Sequence, residues 1–98
     1  MTIFRDPEEN EIRYLRDFVS LSGKHVLEIG CGEGRLTWRY AHTAGRVVGI
    51  DLNPIRLLKA QFECQPELRS KVSFALASSL DLPFPPEKFA VAVLAWSL

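Results

Sequence analysis

Three glycines at alternate positions, Gly30, Gly32 and Gly34, directly follow the short apolar run Val26-Leu27-Glu28-Ile29. A glycine turn between a strand and a helix offers its backbone N–H groups to a polar ligand, because no Cβ holds the ligand away. Asp51 closes a second apolar run, Val47-Val48-Gly49-Ile50, and lies 51 − 30 = 21 residues beyond Gly30. A carboxylate at that distance along the chain is placed to accept both hydroxyls of a ribose. Alone, the glycines also describe a tight turn and Asp51 an exposed loop acid. Together, in this order, they point to a nucleoside ligand. A dinucleotide fingerprint would set its third glycine three positions after Gly32, and Arg35 stands there instead. A nicotinamide- or flavin-dependent oxidoreductase is therefore the weaker reading, since close approach to a pyrophosphate needs that glycine.

The surrounding pattern supplies the elements that must hold these residues. Asp6 as N-cap, Pro7 at the first helical position and the acids Glu8 and Glu9 predict a helix closing at Gly23. Ile12, Leu15, Phe18 and Val19 form its core face. Strands are expected at 26–29, 47–50, 72–77 and 89–96. Between them, helices are expected from Arg35 to His42 and from Asn53-Pro54 to about Cys64, the latter carrying Ile55, Leu58 and Phe62. A loop with three prolines, from Ser78 to Lys88, precedes the last strand. Apolar strands alternating with helices define an α/β fold with a mainly parallel sheet and helices on both faces.

Composition sets the outer limits. A chain of 98 residues is one domain, with 47% hydrophobic and 24% charged residues, as in an ordinary globular protein. Twelve basic and twelve acidic side chains cancel, which gives no basic footprint for a nucleic acid. Cys31 and Cys64 lack metal-ligand spacing, and no metal site is expected. No membrane span and no secretory signal are expected, and the expected location is cytoplasmic.

The stretch Val26-Leu27-Glu28-Ile29-Gly30-Cys31-Gly32-Glu33-Gly34 resembles the first motif of class I, Rossmann-like S-adenosylmethionine-dependent methyltransferases, and Val47-Val48-Gly49-Ile50-Asp51 resembles their second. Leu82-Pro83-Phe84, followed by Phe89 and an apolar strand, is similar to the small-molecule branch that includes quinone and sterol methyltransferases. The resemblance runs from about Leu21 to Leu98. It implies a sheet with the four strands in order 3-2-1-4, truncated relative to the family's seven. The domain, 1–98, then divides into an N-terminal helix (1–22) and the cofactor-binding half of the sheet (23–98).

By the same resemblance, Glu28 and the turn Gly30, Cys31, Gly32 and Gly34 hold the methionine part of S-adenosyl-L-methionine. Asp51 takes the ribose hydroxyls, and Leu52 packs on the adenine face. Ser78 stands where the family often has an adenine-reading Asp, with the backbone near Ser79 beside it. Phe89-Ala90 replaces the family's usual Phe-Asp. The implied activity is methyl transfer to a small-molecule acceptor. The alternative is a non-catalytic nucleoside-binding remnant or interaction module of the same fold. No residue is singled out as the catalytic base, because the family's acceptor-binding segments lie beyond the fourth strand. Cys31 has no activating Cys/His pattern and is not read as a nucleophile. With strand order 3-2-1-4 the apolar fourth strand is expected as a bare edge. That predicts a chain inactive by itself and self-associating through that strand.

Overall fold

The computed structural model describes residues 2–5 and 21–95. The expected helix from Asp6 to Gly23, with Ile12, Leu15, Phe18 and Val19, falls almost wholly outside the described residues, as does Trp96. Five strands, β1 (Thr2–Arg5), β2 (His25–Ile29), β3 (Arg46–Asp51), β4 (Val72–Leu76) and β5 (Val91–Leu94), form one sheet in the order β1-β5-β2-β3-β4. Every pairing is parallel. The four expected strands keep their 3-2-1-4 order as β4-β3-β2-β5, so the fold class stands.

The outer strand corrects two expectations. Thr2–Arg5, expected as part of an N-terminal helix (1–22), is a strand, and it pairs with β5 along its whole length from Thr2↔Val91 to Arg5↔Leu94. The run Thr-Ile-Phe is rich in residues that favour extended backbone. The fourth expected strand is therefore interior, hydrogen-bonded on both sides by β1 and β2, and is no bare edge. Self-association through an exposed fourth strand loses its physical basis.

Helix α1 (Thr37–Tyr40) follows the glycine turn, and α2 (Pro54–Glu63) joins β3 to β4. Asn53 caps α2 as expected, its side-chain oxygen accepting from the N–H groups of Ile55 and Arg56, with Pro54 at the first position. The face that α2 buries is not the expected one. Leu57 and Ala60 are buried, whereas Ile55, Leu58 and Phe62 are exposed, Phe62 by 88%. The buried pair lies at three-residue spacing, and the small Ala60 permits close approach to the sheet.

Odd and even strand positions feed two separate cores, as the pleat requires. Val26, Val47, Val72, Val91 and Val93 pack with Leu36, Tyr40 and Ala41 from the α1 side. On the other face Leu27 and Ile50 pack with Phe89, Leu82 and Phe84 from the segment before β5. Phe89 thus precedes the last strand and works as a core side chain, its ring 5.2 Å from that of Phe84. Among the described residues no helix is long and apolar enough to cross a membrane.

If β1 supplies one of the two ladders of β5, removing residues 1–5 should speed amide exchange along Val91–Leu94 about tenfold or more. Exchange along β3 should change far less. Equal exchange along Val91–Leu94 with and without residues 1–5 would show that the β1 ladder contributes nothing in solution.

Candidate functional site

The carboxyl ends of β2, β3 and β4 lie side by side, where parallel α/β sheets place their ligands. The glycine turn leaves β2 there. Gly30 N–H and Cys31 N–H both donate to the Ile50 carbonyl, at 2.9 and 3.0 Å, which stitches the turn to β3. Gly30, Gly32 and Gly34 all have positive φ, at 76°, 56° and 86°. A Cβ at Gly30 would lie 2.7 Å from the Ala95 carbonyl oxygen, and one at Gly34 would lie 2.8 Å from the Trp38 ring. Backbone conformation and close packing therefore both demand glycine at these two positions.

Asp51 ends β3 and faces the turn. Its Oδ2 accepts from Gly32 N–H at 2.8 Å, and its Oδ1 accepts from Asn53 N–H at 2.9 Å. Each oxygen keeps acceptor capacity beyond those bonds, because a carboxylate offers about four lone-pair sites. A cleft of about 200 Å³ opens here, lined by Ile29, Gly30, Ile50, Asp51, Leu52, Ala77, Ser78 and Ser79. The site residues Gly30, Asp51, Leu52, Ser78 and Ser79 are thus brought together in one place. Leu52, part of the cleft lining, is 71% exposed and presents an apolar surface there. The Ser78 hydroxyl accepts from Leu80 N–H at 3.1 Å and can still donate its own proton.

Two of the residues in the first motif lie elsewhere. Glu28 is completely buried, and its Oε1 accepts from Thr37 Oγ1 at 2.9 Å and from Tyr40 OH at 2.5 Å. Through Oε1 it is tied to α1, and it is not among the residues lining the cleft. Cys31 is buried beneath the turn beside Gly49, where burial, aided by Glu28 and Asp51, holds its thiol well above the usual range. A thiol so held is no nucleophile at neutral pH. At the tip of the turn the Glu33 carboxylate meets Lys59 Nζ of α2 at 3.1 Å, an exposed pair of small energetic weight.

Reading residues by type alone missed the hydroxyl pair. By type, Tyr40 fits an apolar i, i+4 pattern with Leu36, and Thr37 belongs to no motif. The available signal was chemical: an acid inside an apolar strand needs buried donors, and Thr37 and Tyr40 supply them at three-residue spacing on the next helix. A second cleft of about 270 Å³, lined by Gln61, Cys64, Arg69, Val72, Ser73 and Phe74, has neither glycine turn nor carboxylate. Among the described residues no group of three or more His, Cys, Asp and Glu side chains is arranged to hold a metal ion.

The fold is a Rossmann-like parallel sheet, with a glycine turn and a carboxylate meeting beside one cleft at its carboxyl end. The chain belongs to the methyltransferase-domain family, whose model, described as "Methyltransferase domain", matches residues 26–98. A ubiquinone biosynthesis O-methyltransferase of Pseudomonas putida is 35% identical over 85 residues, which is 82% of this chain and 34% of that protein. A demethylmenaquinone methyltransferase of Symbiobacterium thermophilum is 26% identical over 95 residues, 88% of this chain and 38% of that protein. Among solved structures, an S-adenosylmethionine-dependent methyltransferase from Mesorhizobium loti superposes with TM-score 0.69 at 26% identity, over 86% of this chain and 38% of that one. The fold also matches geranyl diphosphate C-methyltransferase from Streptomyces coelicolor, solved with S-adenosyl-L-homocysteine, at TM-score 0.74 and 20% identity over 89% and 35% of the two chains. The chain spans roughly a third of the length of these relatives.

Burial has a measurable consequence at high pH. Burial foremost, then the Glu28 charge, pushes the Tyr40 phenol well above its ordinary value, and Cys31 shifts in the same direction. In the unfolded chain these groups ionise at their usual values, about 8.5 for a thiol and 10 for a phenol. Unfolding above those values releases protons, so stability is full below about pH 8.5 and declines as pH rises. The urea midpoint should be flat between about pH 7 and 8 and fall between about 9 and 11. Tyr40→Phe should remove the part of the fall above about pH 10. Packing makes a second prediction: Gly30→Ala should cost about 2 kcal/mol or more, from a left-handed alanine and a displaced Ala95 carbonyl, read by chemical denaturation.

Proposed function

We propose that this chain is the cofactor-binding half of a methyltransferase that uses S-adenosyl-L-methionine and acts on a small-molecule acceptor. The observation that carries the reading is that Gly30 and Asp51 line one cleft while Gly32 N–H holds the Asp51 carboxylate, whose oxygens keep acceptor capacity beyond that bond. The cofactor supplies a methyl group already activated on a sulfonium centre.

The protein's part is to bind, orient and keep water out. Asp51 accepts the two ribose hydroxyls, and its bonds to Gly32 and Asn53 fix the direction from which it does so. Leu52 offers an apolar face to one side of the base. Ser78 and Ser79 lie at the base end of the cleft, where the Ser78 hydroxyl can donate. The turn backbone from Gly30 to Gly34 lies along the methionine part. The cleft, about 200 Å³, is smaller than the ~300–1,000 Å³ that encloses a whole drug-sized ligand. It therefore takes the nucleoside while the amino-acid tail runs along the turn.

The relatives named for ubiquinone biosynthesis O-methylation and demethylmenaquinone methylation support a small organic acceptor. We place the acceptor site and any base outside these 98 residues, so the chain by itself binds cofactor without transferring methyl. A cytoplasmic location belongs to the same proposal.

Isothermal calorimetry with S-adenosyl-L-homocysteine tests the reading. Asp51→Ala should weaken binding by about 1.5–3 kcal/mol, the scale of charge-assisted hydrogen bonds lost from one carboxylate. Equal affinity in the variant and the parent chain would remove Asp51 from the site.

A further inference from the structure

The buried trio of Glu28, Thr37 and Tyr40 has no place in the cleft, yet it brackets the glycine turn. Glu28 is the penultimate residue of β2, two positions before Gly30, and Thr37 opens α1, three positions after Gly34. The bond from Thr37 Oγ1 to Glu28 Oε1 therefore closes a loop containing all three turn glycines, and the bond from Tyr40 OH to the same oxygen closes it again one helical turn further on.

Such a closure matters most around glycines. Glycine has the largest backbone freedom of any residue, so a turn with three of them is held in one geometry only by what surrounds it. On the cleft side the turn is fixed by the Ile50 carbonyl and the Asp51 carboxylate. On the opposite side Glu28, Thr37 and Tyr40 are each buried completely. Hydrogen bonds among fully buried polar groups are costly to break, because no water replaces the lost partner. The carboxyl oxygen that receives both hydroxyls cannot at the same time turn into the cleft.

We propose that Glu28, Thr37 and Tyr40 form a clamp behind the glycine turn, and that the clamp serves nucleoside binding by positioning the turn. The second half rests on the functional reading above; the first does not. Thr37 and Tyr40 are then positioning residues, acting through Glu28 on the N–H groups of Gly30, Cys31 and Gly32.

Two variants of this chain test the clamp. Thr37→Val with Tyr40→Phe removes both hydroxyls and nearly conserves side-chain volume. Glu28→Gln removes the charge and keeps an oxygen that can accept both hydroxyls. Amide exchange is measured on the ligand-free chains at Gly30, Cys31, Gly32 and Gly34, with Leu27 and Val48 as strand references, and S-adenosyl-L-homocysteine affinity by calorimetry. The double variant should speed exchange in the turn at least tenfold more than at the references and weaken the ligand about tenfold. Glu28→Gln should leave exchange in the turn within about threefold of the parent.

Exchange in the turn that is unmoved, or that moves only in step with the strands, overturns the clamp. A loosened turn with unchanged affinity overturns the positioning role. Should the double variant fail to fold, Tyr40→Phe alone takes its place with the same criteria at a threefold threshold. If the parent chain binds no S-adenosyl-L-homocysteine, the functional reading falls, while the exchange comparison still decides the clamp.

Discussion

Everything at the cleft depends on the register between β2 and β3. Glu28 lies opposite Gly49 and Ile29 opposite Ile50, so Asp51 comes level with the turn as it leaves the sheet. The alternation of a pleated strand makes this register unforgiving: a slip of one residue sends every side chain to the other face. A slipped β2 would put Ile29 where Glu28 meets two hydroxyls and would bury Glu28 among Leu82, Phe84 and Phe89. Gly49 contributes by lacking a side chain, since a Cβ there would lie 2.9 Å from both Cys31 Sγ and the Phe74 ring. The apolar cores on the two faces hold the register, and the register in turn aims one carboxylate backward and another forward.

Much of this was legible in the residues. The alternation of apolar runs with capped helices revealed the parallel sheet, and the Asn53-Pro54 pair announced the start of α2 through a mechanism that the structure repeats bond for bond. Gly30, Asp51, Leu52, Ser78 and Ser79 were named from spacing and resemblance and share one cleft. These features are local, or they follow from strand order, and local rules read well.

What escaped reading required knowledge of neighbours. Thr2–Arg5 is four residues long, too short for periodicity to declare a strand, and its partner is almost ninety positions away. The apolar side of α2 was misassigned because Ile55, Leu58 and Phe62 outweigh Leu57 and Ala60 in bulk, although a helix lying close to a sheet selects the smaller residue. The donors of Glu28 escaped as well, because a motif carries the identity of a residue and not the direction of its side chain. Tyr40 satisfied an apolar pattern with its ring while its hydroxyl did separate work.

The bonds from Gly32 and Asn53 to Asp51 carry a consequence for the speed and cost of recognition. A flexible acid on a loop must surrender its rotamers when a ligand arrives, which consumes roughly 0.5–1.5 kcal/mol of each association. Here two backbone amides hold the carboxylate before any encounter, so that entropy is given up once, during folding. On the proposed function, a ribose would meet an acceptor already at rest, and the change in order on binding would fall almost entirely on the ligand and its water.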